Sequence, residues 1–258
     1  MSQDESSENF EGVELTDAEI RQATQEALSK ARFKKYSQQQ SAKYWERFNA
    51  ERVYPTYTGP ELEVVVRQRF FERNHRPFVV DQDNIAIFNL LLNYFTQNKS
   101  FEQEGYSLSK GILLYGDVGT GKTELLKMFG LNQVQSFGLV SCRAITDAFT
   151  GDGDSEVEKY YTNRKNAIPH AFGQEYSGYC FDDLGTEAPM VMHYGNKKNM
   201  MAEIILNRYD SKMDYRYTHI TTNLTVKEII DRYGSRCTDR MREMFNIITF
   251  PSGAKSRR

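Results

Sequence analysis

The chain has 258 residues, 39% hydrophobic and 26% charged, with a formal net charge of −2. That length and apolar content suit one large α/β domain, or an ordinary domain with a smaller companion. The near-neutral balance excludes a uniformly basic nucleic-acid binder but not a local basic patch. No run of about 18 apolar residues occurs, which argues against a spanning helix and a membrane partner, and the acidic start lacks the apolar stretch of a secretory signal.

Residues 1–30 carry two basic and eight acidic side chains, and residues 1–15, poor in apolar groups, are expected to be a disordered acidic tail. Thr16-Asp17-Ala18-Glu19 is a capping box and should open a helix. Helical composition then runs, with room for a break, to about Glu51. Tyr54 to Pro60 reads as a turn or linker. A second helix carries Leu62, Val65, Val66, Arg69 and Phe70 at helical spacing and ends before Arg76-Pro77. A third, from Asn84, places Ile85, Phe88, Leu91, Leu92 and Phe95 on one face.

The pattern then changes to short apolar runs alternating with helices. Strands are expected at Gly111–Tyr115, Gly138–Cys142, Ser177–Phe181, Thr218–Thr222 and Asn246–Phe250. Helices are expected at Leu125–Phe137 and Asn196–Lys212, and after a second capping box, Thr225-Val226-Lys227-Glu228. Five such runs separated by helices predict an α/β fold with a parallel five-stranded sheet covered on both faces. Cys142, Cys180 and Cys237 form no CxxC pair, and the four histidines show no zinc-ligand spacing. Both observations fit a reducing, cytoplasmic setting without a structural metal.

Three motifs carry chemistry. Gly116-Asp117-Val118-Gly119-Thr120-Gly121-Lys122-Thr123 fits the P-loop pattern throughout, after a buried strand and at the start of a helix that Glu124 continues. The glycines let backbone N–H groups curl round phosphate oxygens, Lys122 reaches the β/γ-phosphates, and the Thr123 hydroxyl ligates Mg²⁺. The implied cofactors are ATP and Mg²⁺. The strand Gly178-Tyr179-Cys180-Phe181 ends in Asp182-Asp183, at the edge where α/β sheets bind ligands. Asp182 is suited to hold Mg²⁺ and Asp183 to polarise the attacking water. The pair could otherwise cap a turn. Asn223, after Thr221-Thr222, is placed to orient that water, or to cap the next helix.

In Tyr233-Gly234-Ser235-Arg236-Cys237-Thr238-Asp239-Arg240-Met241-Arg242, Arg236 and Arg240 share one helix face. By sequence alone they read as a solvated basic face, or as partners of Asp239 or Glu243. A second basic and aromatic group follows the second strand: Arg143, Phe149, Lys159, Tyr160, Tyr161, Arg164 and Lys165. It suits single-stranded DNA or a plain solvated face. A third mixes Phe33, Tyr36, Tyr44, Trp45, Phe48, Tyr54 and Tyr57 with Arg32, Lys34, Lys35, Lys43, Arg47 and Arg52. It suits base stacking, a protein interface, or a small helical domain with its aromatics inside.

The motifs GDVGTGKT, YCFDDLG, TTNL and YGSRCTDRMRE, in that order, resemble those of the AAA+ ATPases, and among them the DnaC-type helicase loaders and IstB-type transposition helpers. The resemblance covers roughly Pro77 to Phe250. It implies a P-loop NTPase domain over residues 77–258, preceded by a helical partner-binding region at 16–76. It makes Asp182 and Asp183 the Mg²⁺/water site, Asn223 the first sensor, and Arg240, with Arg236 as second choice, a finger acting in trans. It also implies a homo-oligomeric ring or spiral, ATP hydrolysis at subunit interfaces, single-stranded DNA as ligand, and a replicative helicase gripped by the amino-terminal region. Two departures stand out. Asp183 replaces the glutamate common in the wider family. Only eight residues follow Phe250, leaving no room for a helical lid with its second sensor arginine, unlike the initiator DnaA. The alternatives are an IstB-like helper of a DNA transposase and a non-catalytic, ATP-dependent DNA-binding module.

Overall fold

In the computed structural model, the described residues are 14–49, 57–132, 136–153, 157–162, 178–193, 195–212 and 214–257. The expected tail at 1–15 lies almost wholly outside them. The chain divides into two compact units, Met1–Val53 and Tyr54–Arg258.

In the first unit, helix α1 spans Asp17–Asn49 without a break. Its capping box forms as the sequence suggests: the Thr16 N–H and hydroxyl both donate to Glu19 Oε2, at 2.8 and 2.7 Å. At ~1.5 Å per residue such a helix is about 50 Å long. Phe33, Tyr36 and Tyr44 are 72%, 60% and 44% exposed, so these three aromatics are not packed inside a small domain. The side chains of Trp45, Arg47 and Phe48, and residues Arg52 and Tyr54, fall outside the description.

The second unit begins well before the boundary expected at residue 77. Helix α2, Gly59–Asn74, buries Leu62, Val66 and Phe70 in the same apolar cluster as α3, Ile85–Phe95. Its Arg73 pairs with Glu124 at 2.8 Å. A short α4, Ser100–Gln103, precedes β1, Gly111–Tyr115. Then come α5, Lys122–Met128; β2, Phe137–Ser141; and α6, Cys142–Asp152. They are followed by β3, Gly178–Leu184; a small antiparallel pair β4, Val191–His193, and β5, Asn196–Lys198; and α7, Met200–Asp210. The chain closes with β6, Thr218–Thr222; α8, Val226–Met244; and β7, Phe245–Thr249.

The main sheet has five parallel strands in the order β2-β3-β6-β1-β7. Side-chain alternation divides its two faces. Ile112, Leu114, Cys180 and Ile248 face α2, α3 and α5, while Leu113, Tyr179, Phe181 and Ile220 face α6, α7 and α8. Helix α8 supplies Ile229, Tyr233, Cys237 and Met241 at intervals of four.

Several expected boundaries move. Phe137 begins a strand instead of ending a helix, because its ring packs against Phe95 at 5.7 Å. Cys142 opens the following helix, with Ser141 at its N-cap, and residues 196–198 pair as a strand before α7. Gly111 and Gly178 open their strands against the backbone that leads into β6. A Cβ on either would lie 1.9 Å from Thr218 O or 2.4 Å from Tyr217 O. All three cysteines are buried, and burial drives their thiol pKa values up, that of Cys237 to about 12. Among the described residues, no helix is long and apolar enough to cross a membrane.

Candidate functional site

All five strands run the same way, so their carboxyl ends share one edge of the sheet. With β6 between β1 and β3, the loop after β1, the carboxylates ending β3 and the Asn after β6 become neighbours although they are far apart in sequence. Gly116 N–H donates to Thr222 O at 3.3 Å where the loop leaves the sheet. The loop then passes through Gly119 and Gly121 at φ of 89° and 92°, conformations that disfavour a side chain. It delivers Lys122, nearly buried, to the first turn of α5. Lys122 Nζ donates to Gly116 O at 2.7 Å and Asp117 O at 2.9 Å. Thr120 Oγ1 donates to Asp117 O at 3.0 Å and tightens the same turn.

Two threonines converge on one oxygen. Thr123 Oγ1 and Thr221 Oγ1 both donate to Asp182 Oδ1, at 2.9 and 2.7 Å. Thr221 Oγ1 also accepts from Asp183 N at 2.8 Å. The second contact fills a break in the ladder: the β3–β6 register shifts between Phe181 and Leu184, and Asp183 takes φ 55°. The irregularity turns Asp182 toward Thr123 and leaves Asp183 exposed at the rim. Burial pushes the Asp182 carboxyl above its usual range, against the lowering effect of the two hydroxyl bonds.

These donors fit Mg²⁺. They are hard hydroxyl and carboxylate oxygens, and Asp182 is a desolvated acid whose two direct partners are both neutral, so a divalent ion would supply the missing countercharge. Among the described residues no cluster of three or more His, Cys, Asp or Glu side chains offers a rival site.

Beside these groups lies a cleft of about 510 Å³. Its lining combines polar groups, Lys122, Thr123, Asp183, Thr186, Asn223 and Arg257, with apolar ones, Phe70, Pro77, Phe78, Val79 and Val118. Glu124 also reaches it. Despite the raising effect of partial burial, the Arg73 guanidinium holds the Glu124 carboxyl low, so Glu124 is engaged with α2. Thr186 hydroxyl donates to Asp183 O at 2.8 Å and braces the turn after the carboxylates.

The remaining expected residues divide. Arg240 stacks on Tyr209 at 4.3 Å and pairs with Glu243 at 3.1 Å, and Tyr209 OH donates to the same Glu243 at 2.6 Å. Arg236 is exposed. Neither arginine lines the cleft of its own chain. Arg143 and Lys159 are exposed. Phe149 and Tyr160 are not available for base stacking: Phe149 is 1% exposed in the core, and Tyr160 packs edge-on to Tyr179 at 5.1 Å. Tyr161 is half-buried, and Arg164 and Lys165 lie outside the described residues. Thr221, Thr186 and the Pro77–Val79 wall were not singled out from the sequence. Thr221 sat within the TTN motif, whereas nothing local marks the wall, which is assembled by the fold.

No family model matches the sequence. Among curated relatives, the ATP-dependent zinc metalloprotease FtsH of Pelobacter propionicus is 34% identical over 79 residues, 31% of this chain and 13% of that protein. FtsH of Borreliella burgdorferi is 36% identical over 143 residues, 55% and 21% of the two chains. The peroxisomal ATPase PEX6 of Komagataella pastoris is 29% identical over 101 residues, 39% and 8%. The chain therefore spans about a fifth or less of these relatives. Among solved structures, the DnaC helicase loader aligns with TM-score 0.44 and 15% identity, over 71% of this chain and 99% of that one. AMPPCP-bound DnaA from Aquifex aeolicus aligns with TM-score 0.43 and 16% identity, over 80% and 54%. A five-stranded parallel sheet flanked by helices, with a P-loop after β1 and paired carboxylates ending β3, gives this chain a P-loop α/β fold.

Proposed function

We propose that the chain is a Mg²⁺-dependent ATPase of the helicase-loader type. The observation that carries the enzymatic part is the convergence of Thr123 and Thr221 on Asp182, beside a cleft shared by Lys122, Asp183 and Asn223. In this reading the apolar wall seats the base. Lys122 exchanges its loop carbonyls for the β/γ-phosphates, and Thr123 and Asp182 hold the ion. Bound Mg²⁺ neutralises charge on the phosphates. Asn223 orients a water toward the γ-phosphorus. The water oxygen forms the new bond, ADP leaves, and the proton passes to the exposed Asp183 carboxylate.

The wider reading rests on the motif resemblance. Arg240, or Arg236, completes a neighbouring subunit's site in a homo-oligomer. This is supported by both arginines lying outside their own cleft. The exposed aromatics of α1 grip a replicative helicase, and Arg143 with Lys159 contact single-stranded DNA.

Binding of a fluorescent ATP analogue tests the foundation. Lys122→Ala should abolish it, while Asp183→Asn should preserve it and lower turnover by roughly 100-fold or more. Wild-type affinity in Lys122→Ala would remove the P-loop assignment. Affinity capture with ATP should recover a hexameric helicase, and recovery of a transposase instead would overturn the loader role.

A further inference from the structure

The chain after β7 turns back across the phosphate loop. Phe250 N donates to Tyr115 O at 2.8 Å, and Lys255 N to Asp83 Oδ2 at 3.1 Å. Arg257 then makes four bonds. Its backbone N–H donates to Gly119 O at 2.9 Å and its Nε to Thr120 O at 3.1 Å. Its two terminal nitrogens make a bidentate pair with Asp81, each at 2.8 Å. The packing is close. A Cβ on Gly119 would lie 2.6 Å from Ser256 Oγ, and one on Gly121 3.1 Å from Arg257 Cδ.

In a trans peptide the C=O and N–H point to opposite sides. The Gly119 carbonyl shares its peptide with the Thr120 N–H, and the Thr120 carbonyl with the Gly121 N–H. A donor holding both carbonyls therefore fixes the direction of both N–H groups, each pointing away from its held carbonyl and free to meet a phosphate. Hydrogen bonding at a carbonyl also polarises its peptide and strengthens the N–H on the far side. Lys122 holds Gly116 O and Asp117 O, and Arg257, which also lines the cleft, holds Gly119 O and Thr120 O. Asp81, just ahead of α3, fixes the guanidinium plane so that Nε meets Thr120 O.

We infer that Arg257 is a positioning residue for the nucleotide phosphates, presetting the Thr120 and Gly121 N–H groups through their carbonyls with Asp81 as its anchor. This rests on the P-loop reading above. The experiment compares wild type, Arg257→Ala, Arg257→Lys, and the reversed pair Asp81→Arg with Arg257→Asp. Affinities for ATP, ADP and adenosine are measured alongside melting temperature. Arg257→Ala should weaken ATP and ADP by roughly 10-fold or more, as loss of a charged hydrogen-bond donor does, with adenosine unchanged. Arg257→Lys has no fork to meet Asp81 and Thr120 O together and should recover only part of the affinity. The reversed pair should regain melting temperature but not phosphate affinity, because Asp at 257 has no side-chain donor for Thr120 O. A lowered melting temperature with wild-type ATP affinity in Arg257→Ala would overturn the inference and leave the residue a tail anchor. Failure of the wild-type chain to bind ATP would instead reject the P-loop reading itself.

Discussion

Thr221 holds both halves of the carboxylate pair, one through its hydroxyl hydrogen and one through its oxygen. Thr221→Val keeps the shape and removes both bonds. The variant should lose about 1–3 kcal/mol of stability, the penalty of leaving buried partners unpaired, and should need more Mg²⁺ for half-maximal turnover. Thermal melts and a Mg²⁺ titration check both, and an unchanged titration would show that Thr221 serves only the fold. A second prediction concerns pH. The Arg257 guanidinium, against some desolvation, holds the Asp81 carboxyl at about 2, below its ordinary 3.8. A depressed folded-state value means the pair's contribution is complete above about pH 4 and fades as pH falls through 2. The stability gap between wild type and Arg257→Ala should therefore narrow between those values, as acid-range melting curves will show. At this scale the sequence marks the P-loop, Asp182, Asp183 and Asn223 as candidates because such chemistry dictates residue type and spacing. It does not mark Arg257, since a lone arginine 136 positions after Gly121 has no local pattern to betray it.

Among the elements, α8 departs most from regularity. Gly234 sits inside it at φ 83°, ψ 158°, a conformation almost confined to glycine. Nothing lies within 4 Å of where its Cβ would be, so Gly234→Ala tests backbone strain alone. It should destabilise by about 1–3 kcal/mol in chemical denaturation. A neutral outcome would mean the break relaxes to a continuous helix. The five strands of the main sheet and the capping boxes at Thr16 and Thr225 were legible because apolar runs and Thr-x-x-Glu spacing are local signals, whereas a third box, Thr58 with Glu61, opens inside the segment read as a turn. Boundaries were less so. Phe137 could end a helix as plausibly as begin a strand until Phe95 and His219 are placed against it. The β4–β5 pair, three residues a side, has no period long enough to register. Helix α2 joins the second unit because Leu62, Val66 and Phe70 need the apolar face that α3 and α5 provide, a tertiary fact absent from its own sequence.

For the assembled molecule, the test is whether sites are shared. Asp183 and Arg240 are proposed to meet only across a subunit boundary. Asp183→Asn and Arg240→Ala should each be nearly inactive alone, and a mixture should recover part of the turnover through interfaces that pair the intact residues. Fingers in trans contribute about 10³–10⁵ in rate, enough for the rescue to stand above background. Full turnover by Arg240→Ala, independent of protein concentration, would place a complete site within one chain. In this chain Arg240 is held by Tyr209 and Glu243, so Glu243→Gln should free it and alter how turnover depends on concentration.

Three sealed thiols give this protein an internal clock. Cys142, Cys180 and Cys237 sit at the start of α6, inside β3 and on α8, each no more than 1% exposed. A thiol reagent can reach each only when its own element opens. Native-state labelling rates thus report three local opening free energies separately. Cys180 lies two residues before Asp182, so ATP and Mg²⁺ should slow its labelling most.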